Sequence, residues 1–195
     1  MTTPISFPEK ITGTGGFMNP DKVIDSFSIQ SGMKVADFGC GAGYFTISLA
    51  QRVGSSGVVY GLDVVESALD NVKAKARVSG LKNIETVRAD LEVMGSSGLA
   101  SESMDIVLLA NILFQSNKKG DILNEAKRVL KSGGKMIIID WKREVGLSGQ
   151  GGFGPPDDLR SDPSKIEELV ISRGLLLEYP IDAGQFHFGL IFKKP

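Results

Sequence analysis

One stretch constrains this chain more than any other: Val35-Ala-Asp-Phe-Gly-Cys-Gly-Ala-Gly-Tyr-Phe45. Residues 34–38 read as a short buried strand. Gly39, Gly41 and Gly43 follow at alternate positions, and residues 44–52 read as a helix with Phe45, Leu49 and Ala50 on its apolar side. A strand that runs through a glycine turn into a helix is expected to leave bare backbone N–H groups beside a helix N-terminus. It also has no side chains to hold a ligand off the main chain. Such a junction suits a nucleotide-like ligand. The glycine spacing narrows the choice: a dinucleotide turn of the form G-x-G-x-x-G needs glycine at 44, where the chain has Tyr44. The observed run is D-x-G-x-G-x-G, with Asp37 two residues before the first glycine.

Two further acids extend the pattern. Residues 57–63 read as a second strand, buried on both faces and ending in Asp63, 20 residues past Gly43 (63 − 43). At that distance a carboxylate can accept both hydroxyls of a ribose, which an amide does less well. Residues 83–90 alternate as a third strand that closes on Asp90. Residues 104–110 form a near-continuous apolar run, as a strand covered on both faces requires. Helical spacing recurs between these strands over 65–79 and from Ser116 or Asn117 to Leu130, with Ser116 or Asn117 as cap. Asn19-Pro20 starts a helix running to about Phe27, and Asp162-Pro163 starts another to about Ser172. Residues 174–180 and 185–192 read as a terminal hairpin. Alternating β and α elements imply a parallel sheet with helices on both faces and a ligand over the strands' carboxyl ends.

Over roughly residues 20–193 the chain resembles the class I S-adenosylmethionine-dependent methyltransferases. The likeness rests on the D-x-G-x-G-x-G run, the acids closing the second and third strands, and Arg128-Val-Leu-Lys-Ser-Gly-Gly-Lys135. Relatives usually have proline where Ser132 stands. The chain looks most like the small type 11 or ubiquinone/menaquinone-biosynthesis-like members. The resemblance implies an α/β Rossmann-like, doubly wound sheet of about seven strands, mostly parallel with a reversed last strand. It implies S-adenosylmethionine as cofactor, with S-adenosylhomocysteine as product. The cofactor residues implied are Asp37, Gly39, Cys40, Gly41, Gly43, Asp63, Val64, Asp90, Leu91 and Asn111. In that family an acid at the position of Asp90 takes the adenine amine, and the backbone N–H of the next residue meets the ring. The chain after the fourth strand passes the methyl group there, so Asn111 and Gln115 are candidates for substrate or catalytic contact. Family members often carry histidine or aspartate at this point, and this chain has neither. The one histidine, His187, is a third catalytic candidate. Phe17 and Met18 are candidate lid residues, and Trp141 and Phe153 candidate substrate contacts. "RVLKSGGK" is expected to break sharply into a fifth strand over 136–140.

Composition bounds the rest. At 195 residues the chain is expected to form one domain, 1–195, with 1–30 as a lead-in or lid and 142–162 as a mobile loop near the active site. The 22 basic and 23 acidic residues leave a net charge of −1 with no like-charge block, which argues against a broad nucleic-acid surface. The first eight residues do not read as a secretory signal, and no apolar run reaches the ~18–20 residues of a membrane span. With a single cysteine, Cys40, this points to a cytoplasmic protein. One cysteine and one histidine cannot build a His/Cys-rich metal site, so no metal is expected. The expected activity is in-line methyl transfer to a small-molecule nucleophile, mainly through positioning. A homodimer is compatible with it. A methyltransferase acting on RNA or protein and a non-catalytic S-adenosylmethionine- or nucleoside-binding module remain open. An NAD-dependent enzyme is disfavoured by Tyr44 and Asp90.

Overall fold

The computed structural model describes residues 18–143 and 154–195. The first helix starts as its sequence requires. The Asn19 side chain accepts the N–H groups of Asp21 (3.1 Å) and Lys22 (3.4 Å), and Pro20 occupies the first turn, where no N–H partner is needed. This helix, α1 (Pro20–Ile24), tightens into a 3-10 turn at Asp25–Phe27. Then come β1 (Lys34–Phe38), α2 (Tyr44–Val53), β2 (Val58–Asp63), α3 (Glu66–Val78) and β3 (Ile84–Arg88). The second half holds β4 (Met104–Ala110), a 3-10 turn at Leu113–Gln115, α4 (Lys119–Val129), β5 (Leu130–Trp141), α5 (Pro163–Ile171), β6 (Leu176–Ile181) and β7 (His187–Lys193).

The strands form one seven-stranded sheet in the order β3-β2-β1-β4-β5-β7-β6. Pairings from β3 through β5 are parallel, and β7 runs antiparallel to both β5 and β6. This is the expected doubly wound sheet with a reversed last strand. Side chains alternate across it. Val35, Ile106, Leu108, Ile137 and Ile139 pack with α1 and α2 on one face. Ala36, Phe38, Val107, Leu109 and Ile138 pack with α4 and α5 on the other. That two-sided burial explains the unbroken apolar runs of β4 and β5. Because β1 lies between β2 and β4, the chain winds outward from it in both directions, which opens a crevice at the carboxyl ends.

Three local expectations are corrected. There is no sharp break between Arg128 and the fifth strand: β5 begins at Leu130, opposite Met104, and Lys135 already faces Ile106. The extra residues form a bulge, with Gly133 at φ +76° donating to the Lys194 carbonyl (2.8 Å) and Gly134 accepting from Lys194 (3.0 Å). β3 stops at Arg88, so Asp90 stands in the following turn, whose backbone bonds locally through Val93 N–H to Asp90 O (2.9 Å). Ser116 does not cap α4. The 3-10 turn delays the helix to Lys119, and the Ser116 hydroxyl accepts the Lys118 N–H (2.8 Å) just before it. In the 141–162 stretch, Ser161 N–H reaches Trp141 O (3.1 Å) and Arg143 N–H reaches Ser161 O (3.2 Å), tying the described ends together. No helix among the described residues is long and apolar enough to cross a membrane.

Candidate functional site

A cavity of about 890 Å³ opens over the carboxyl ends of β1, β2 and β4, near the upper end of the usual small-molecule range of roughly 300–1,000 Å³. Its floor is the glycine turn. The expected bare N–H groups are not found at four of its positions. Gly39 and Cys40 both donate to Leu62 O (2.8 and 2.9 Å), Gly43 donates to Cys40 O (2.9 Å), and Gly41 donates to Asp63 Oδ2 (2.9 Å). The turn is folded against the end of β2, which takes up three of these donors, while the turn itself takes up the fourth. The glycines serve different ends. Gly39 (φ +75°) and Gly43 (φ +80°) hold left-handed backbone, and a Cβ would stand 2.6 Å from Ile112 Cδ1 at the first and 2.8 Å from Val72 Cγ2 at the second, so conformation and packing together favour glycine at both. Gly41, at φ +48°, would place its Cβ in open space, and it lines the cavity.

Three acids surround that floor. Asp63 is half-buried. Its Oδ1 accepts Val65 N–H (2.9 Å) and its Oδ2 accepts Gly41 N–H (2.9 Å), so each oxygen keeps a lone pair for a further donor. Asp37 is buried and accepts the Thr46 hydroxyl (2.6 Å). Burial pushes its pKa up to about 7; the Thr46 hydrogen bond opposes the rise and the charge of Asp63 adds to it. Asp90 stands exposed at the rim, where its Oδ1 accepts Glu92 N–H (3.1 Å). Leu91 is buried beside it, and Val64 is exposed at the same rim. Cys40 is buried in the turn, and burial, then the charges of Asp37 and Asp63, push its thiol far above the usual range.

The opposite wall is neutral. Asn111 follows β4 at φ +56°, a left-handed conformation uncommon outside glycine. Its N–H bonds to Ile139 O (2.8 Å), and its Oδ1 is buried with no partner among the described residues. Gln115 Nε2 donates to the Asn111 carbonyl (2.8 Å), and Met18 and Ile112 complete this side. Behind the wall, buried Asp140 accepts Phe114 N–H (2.9 Å), Trp141 N–H (2.8 Å) and the Ser161 hydroxyl (3.1 Å). Burial pushes the Asp140 pKa up to about 6 against these bonds. It braces the 3-10 turn to the end of β5.

Not every candidate reaches the cavity. His187 and Trp141 pair across β7 and β5 with ring centroids 4.1 Å apart, and neither lines it. A Cβ on Gly154 would sit 2.5 Å from the Trp141 ring, so that ring is covered. His187 is buried with both ring nitrogens unpartnered among the described residues. Burial, then the charges of Lys142 and Arg160, push its pKa down to about 4. Phe17 and Phe153 lie outside the described residues. No group of three or more metal-ligating side chains exists among the described residues.

Other residues at the site escaped the sequence reading. Thr46 partners Asp37 across nine positions. Glu92 accepts the Ser116 hydroxyl (2.7 Å) across twenty-four, a pairing with no local signal. Ser67 and Asn71 of α3 line the cavity, and here a signal existed: a helix that starts three residues past Asp63 must bring its first turns to the same opening. Tyr44 is 69% exposed at the mouth, with Lys75 Nζ 4.0 Å over its ring and donating to Ala42 O (2.7 Å).

Comparison with known proteins agrees with this geometry. Residues 29–171 match the family model described as a methyltransferase domain. Demethylmenaquinone methyltransferase of Lactococcus lactis is 34% identical over 110 residues, covering 56% of this chain and 42% of that protein. Arsenite methyltransferase of Halobacterium salinarum is 30% identical over 144 residues, covering 73% of this chain and 34% of that protein. The chain thus spans less than half the length of these curated relatives. Among solved structures, a SAM-dependent methyltransferase from Aquifex aeolicus superposes with a TM-score of 0.80 at 28% identity, covering 91% of this chain and 90% of that one.

Proposed function

The chain belongs to the methyltransferase domain family, and from that premise we propose that it transfers a methyl group from S-adenosylmethionine to a small organic nucleophile. The observation that carries this reading is the set of three aspartates, Asp37, Asp63 and Asp90, around one cavity whose floor is opened by Gly41; the fourth carboxylate of the lining, Glu92, is engaged by Ser116. The donor set fits a cationic nucleoside with neighbouring ribose hydroxyls and an adenine amine. Asp63, held by Gly41 N–H and Val65 N–H, accepts the two ribose hydroxyls on its remaining lone pairs. Asp90 accepts the adenine amine, with Leu91 N–H beside the ring and Val64 over the rim. Asp37 balances the cationic tail of the ligand, which passes Cys40 and the glycine turn. When bound, the cofactor supplies an electrophilic methyl group on a sulfonium. Asn111 and Gln115 orient the acceptor from the far wall, where the reacting atoms must meet at about 3–3.5 Å and in line.

The relatives named above differ in acceptor, and the chemistry of this chain favours a carbon-rich acceptor over arsenic. Trivalent arsenic is thiophilic and is held by soft thiolates. The one cysteine here is buried in the glycine turn, with a thiol that resists ionisation. Met18, Pro20 and Ile112 give the wall an apolar character suited to a carbon-rich acceptor. The test is transfer of a labelled methyl group from S-adenosylmethionine to panels of phenols, quinols and amines, alongside RNA and protein fractions. Label in the small-molecule fraction supports the reading. Label in RNA or protein, or S-adenosylhomocysteine binding with no transfer to any panel, overturns it.

A further inference from the structure

Glu125 lies on the inner face of α4, outside the cavity lining, and is fully buried. It is not solitary. Arg128, one turn on, donates to it through Nε (2.8 Å) and a terminal nitrogen (2.7 Å). Gly95 N–H (2.8 Å), Ser97 N–H (3.4 Å) and the Ser97 hydroxyl (2.5 Å) also converge on its carboxylate. Burial opposes the charge, yet the hydrogen bonds from Arg128, Ser97 and Gly95 hold its pKa down at about 2. A buried carboxylate with five donors is a rigid fixture.

The three loop donors belong to the turn that carries Asp90. Within that turn the Asp90 carbonyl accepts both the Val93 N–H and the Ser96 hydroxyl, and the Asp90 side chain accepts Glu92 N–H. Asp90, Ser96 and the clamped residues 95 and 97 are therefore one hydrogen-bonded unit. Its tip has no apolar anchor, because Val93 and Met94 are more than half exposed. On the cavity side the Ser116 hydroxyl holds Glu92 (2.7 Å). From behind, Glu125 provides the tie to α4.

We propose that Glu125 is a positioning residue for base recognition: with Arg128 it holds the 90–98 turn so that the Asp90 carboxylate faces the adenine amine. This rests on the reading of Asp90 as the adenine partner. The Arg128-Val-Leu-Lys stretch then has a use beyond turning the chain into β5.

The experiment compares two probes by calorimetry: S-adenosylhomocysteine and S-inosylhomocysteine, in which a carbonyl replaces the adenine amine. Wild-type protein is expected to prefer the adenosyl form by tenfold or more. Glu125→Gln keeps the shape but loses the charge. Ser97→Ala removes the loop hydroxyl from the clamp, with its bonds from Arg128 and Leu99 N–H, and leaves the two loop N–H bonds and the Glu125–Arg128 pair in place. Each variant is expected to shrink the preference to threefold or less, with affinity for the inosyl form changed less than twofold. A purely structural role would weaken both probes in parallel, and folded variants that keep the wild-type preference overturn the proposal. Absence of any preference in wild-type protein overturns instead the assignment of Asp90 to the amine, and the proposal with it.

Discussion

Asp37, Asp63 and Asp90 stand on one side of the cavity, at or just past the ends of three neighbouring strands, whereas the opposite wall carries the neutral amides of Asn111 and Gln115. The acidic side is held at several independent points. Asp63 is locked by two main-chain N–H groups, Asp37 by the Thr46 hydroxyl, and the Asp90 turn by its own hydrogen bonds and by Glu125. The neutral side is held by fewer ties: the Asn111 N–H on the Ile139 carbonyl, and buried Asp140, which ties the 3-10 turn to β5 and to Ser161. Charge and fixed geometry suit the recognition of one constant, cationic ligand. A neutral wall suits an acceptor that needs only to be placed, since a sulfonium requires little help to leave.

Removing Asp63 should separate the two sides most sharply. Asp63→Ala removes the proposed ribose acceptor and leaves Gly41 N–H without its partner, so S-adenosylhomocysteine should bind about 100-fold more weakly, or ~2.7 kcal/mol. Affinity within threefold of wild type in calorimetry would detach Asp63 from the ligand. Asp37 should give the next effect, and it depends on pH. With a pKa of about 7 in the free protein, Asp37 is largely protonated at pH 6 and must lose that proton to face a cation. Affinity for S-adenosylmethionine should therefore rise about tenfold from pH 6 to 8, and Asp37→Asn should flatten the profile. Stability carries the opposite sign. A carboxyl raised from 3.8 to about 7 on folding keeps an extra proton in the folded state, so its contribution falls as pH rises from about 4 to 7.

The neutral wall predicts a split of another kind. Asn111→Gly keeps the left-handed backbone and removes the unpartnered amide, so turnover should fall about tenfold while cofactor affinity stays unchanged. Equal loss in both would place Asn111 with the cofactor. The smallest functional effect is expected at His187. His187→Phe replaces a buried ring whose nitrogens lack partners among the described residues. It should raise the melting temperature by a few degrees, on the order of 1 kcal/mol, without changing affinity or turnover. A large loss of turnover in folded protein would bring His187 into the reaction.

The acidic side was legible because its spacing follows from strand geometry. A strand ending in an acid, a glycine turn and a helix fix Asp37 and Gly41 locally, and the next βα unit brings Asp63 alongside through the parallel register of Asp37 with Gly61. The reversed β7 and the seven-strand order came from resemblance, and the pairing of β7 with β5 bears them out. What stayed hidden depends on contacts between residues far apart in the chain. Ile112 reaches Gly39 from the segment just past β4, and no local pattern shows that contact. The hydroxyl of Thr46 decides how Asp37 sits, and Glu125 reaches Gly95 across thirty residues. The bulge within β5 was misread as a break because Ser-Gly-Gly reads as a turn in isolation. The Lys194 backbone on the neighbouring β7 side makes it part of the sheet.

The most direct measurement is a calorimetric titration of the purified protein with S-adenosylmethionine, S-adenosylhomocysteine and NAD under identical conditions. Micromolar binding of the first two with no heat from NAD is the predicted result. It would establish the protein as a binder of S-adenosyl ligands and leave the ribose contact to the Asp63 variant. Tight binding of NAD, or no binding of either adenosyl compound, would contradict that assignment and the proposed activity built on it.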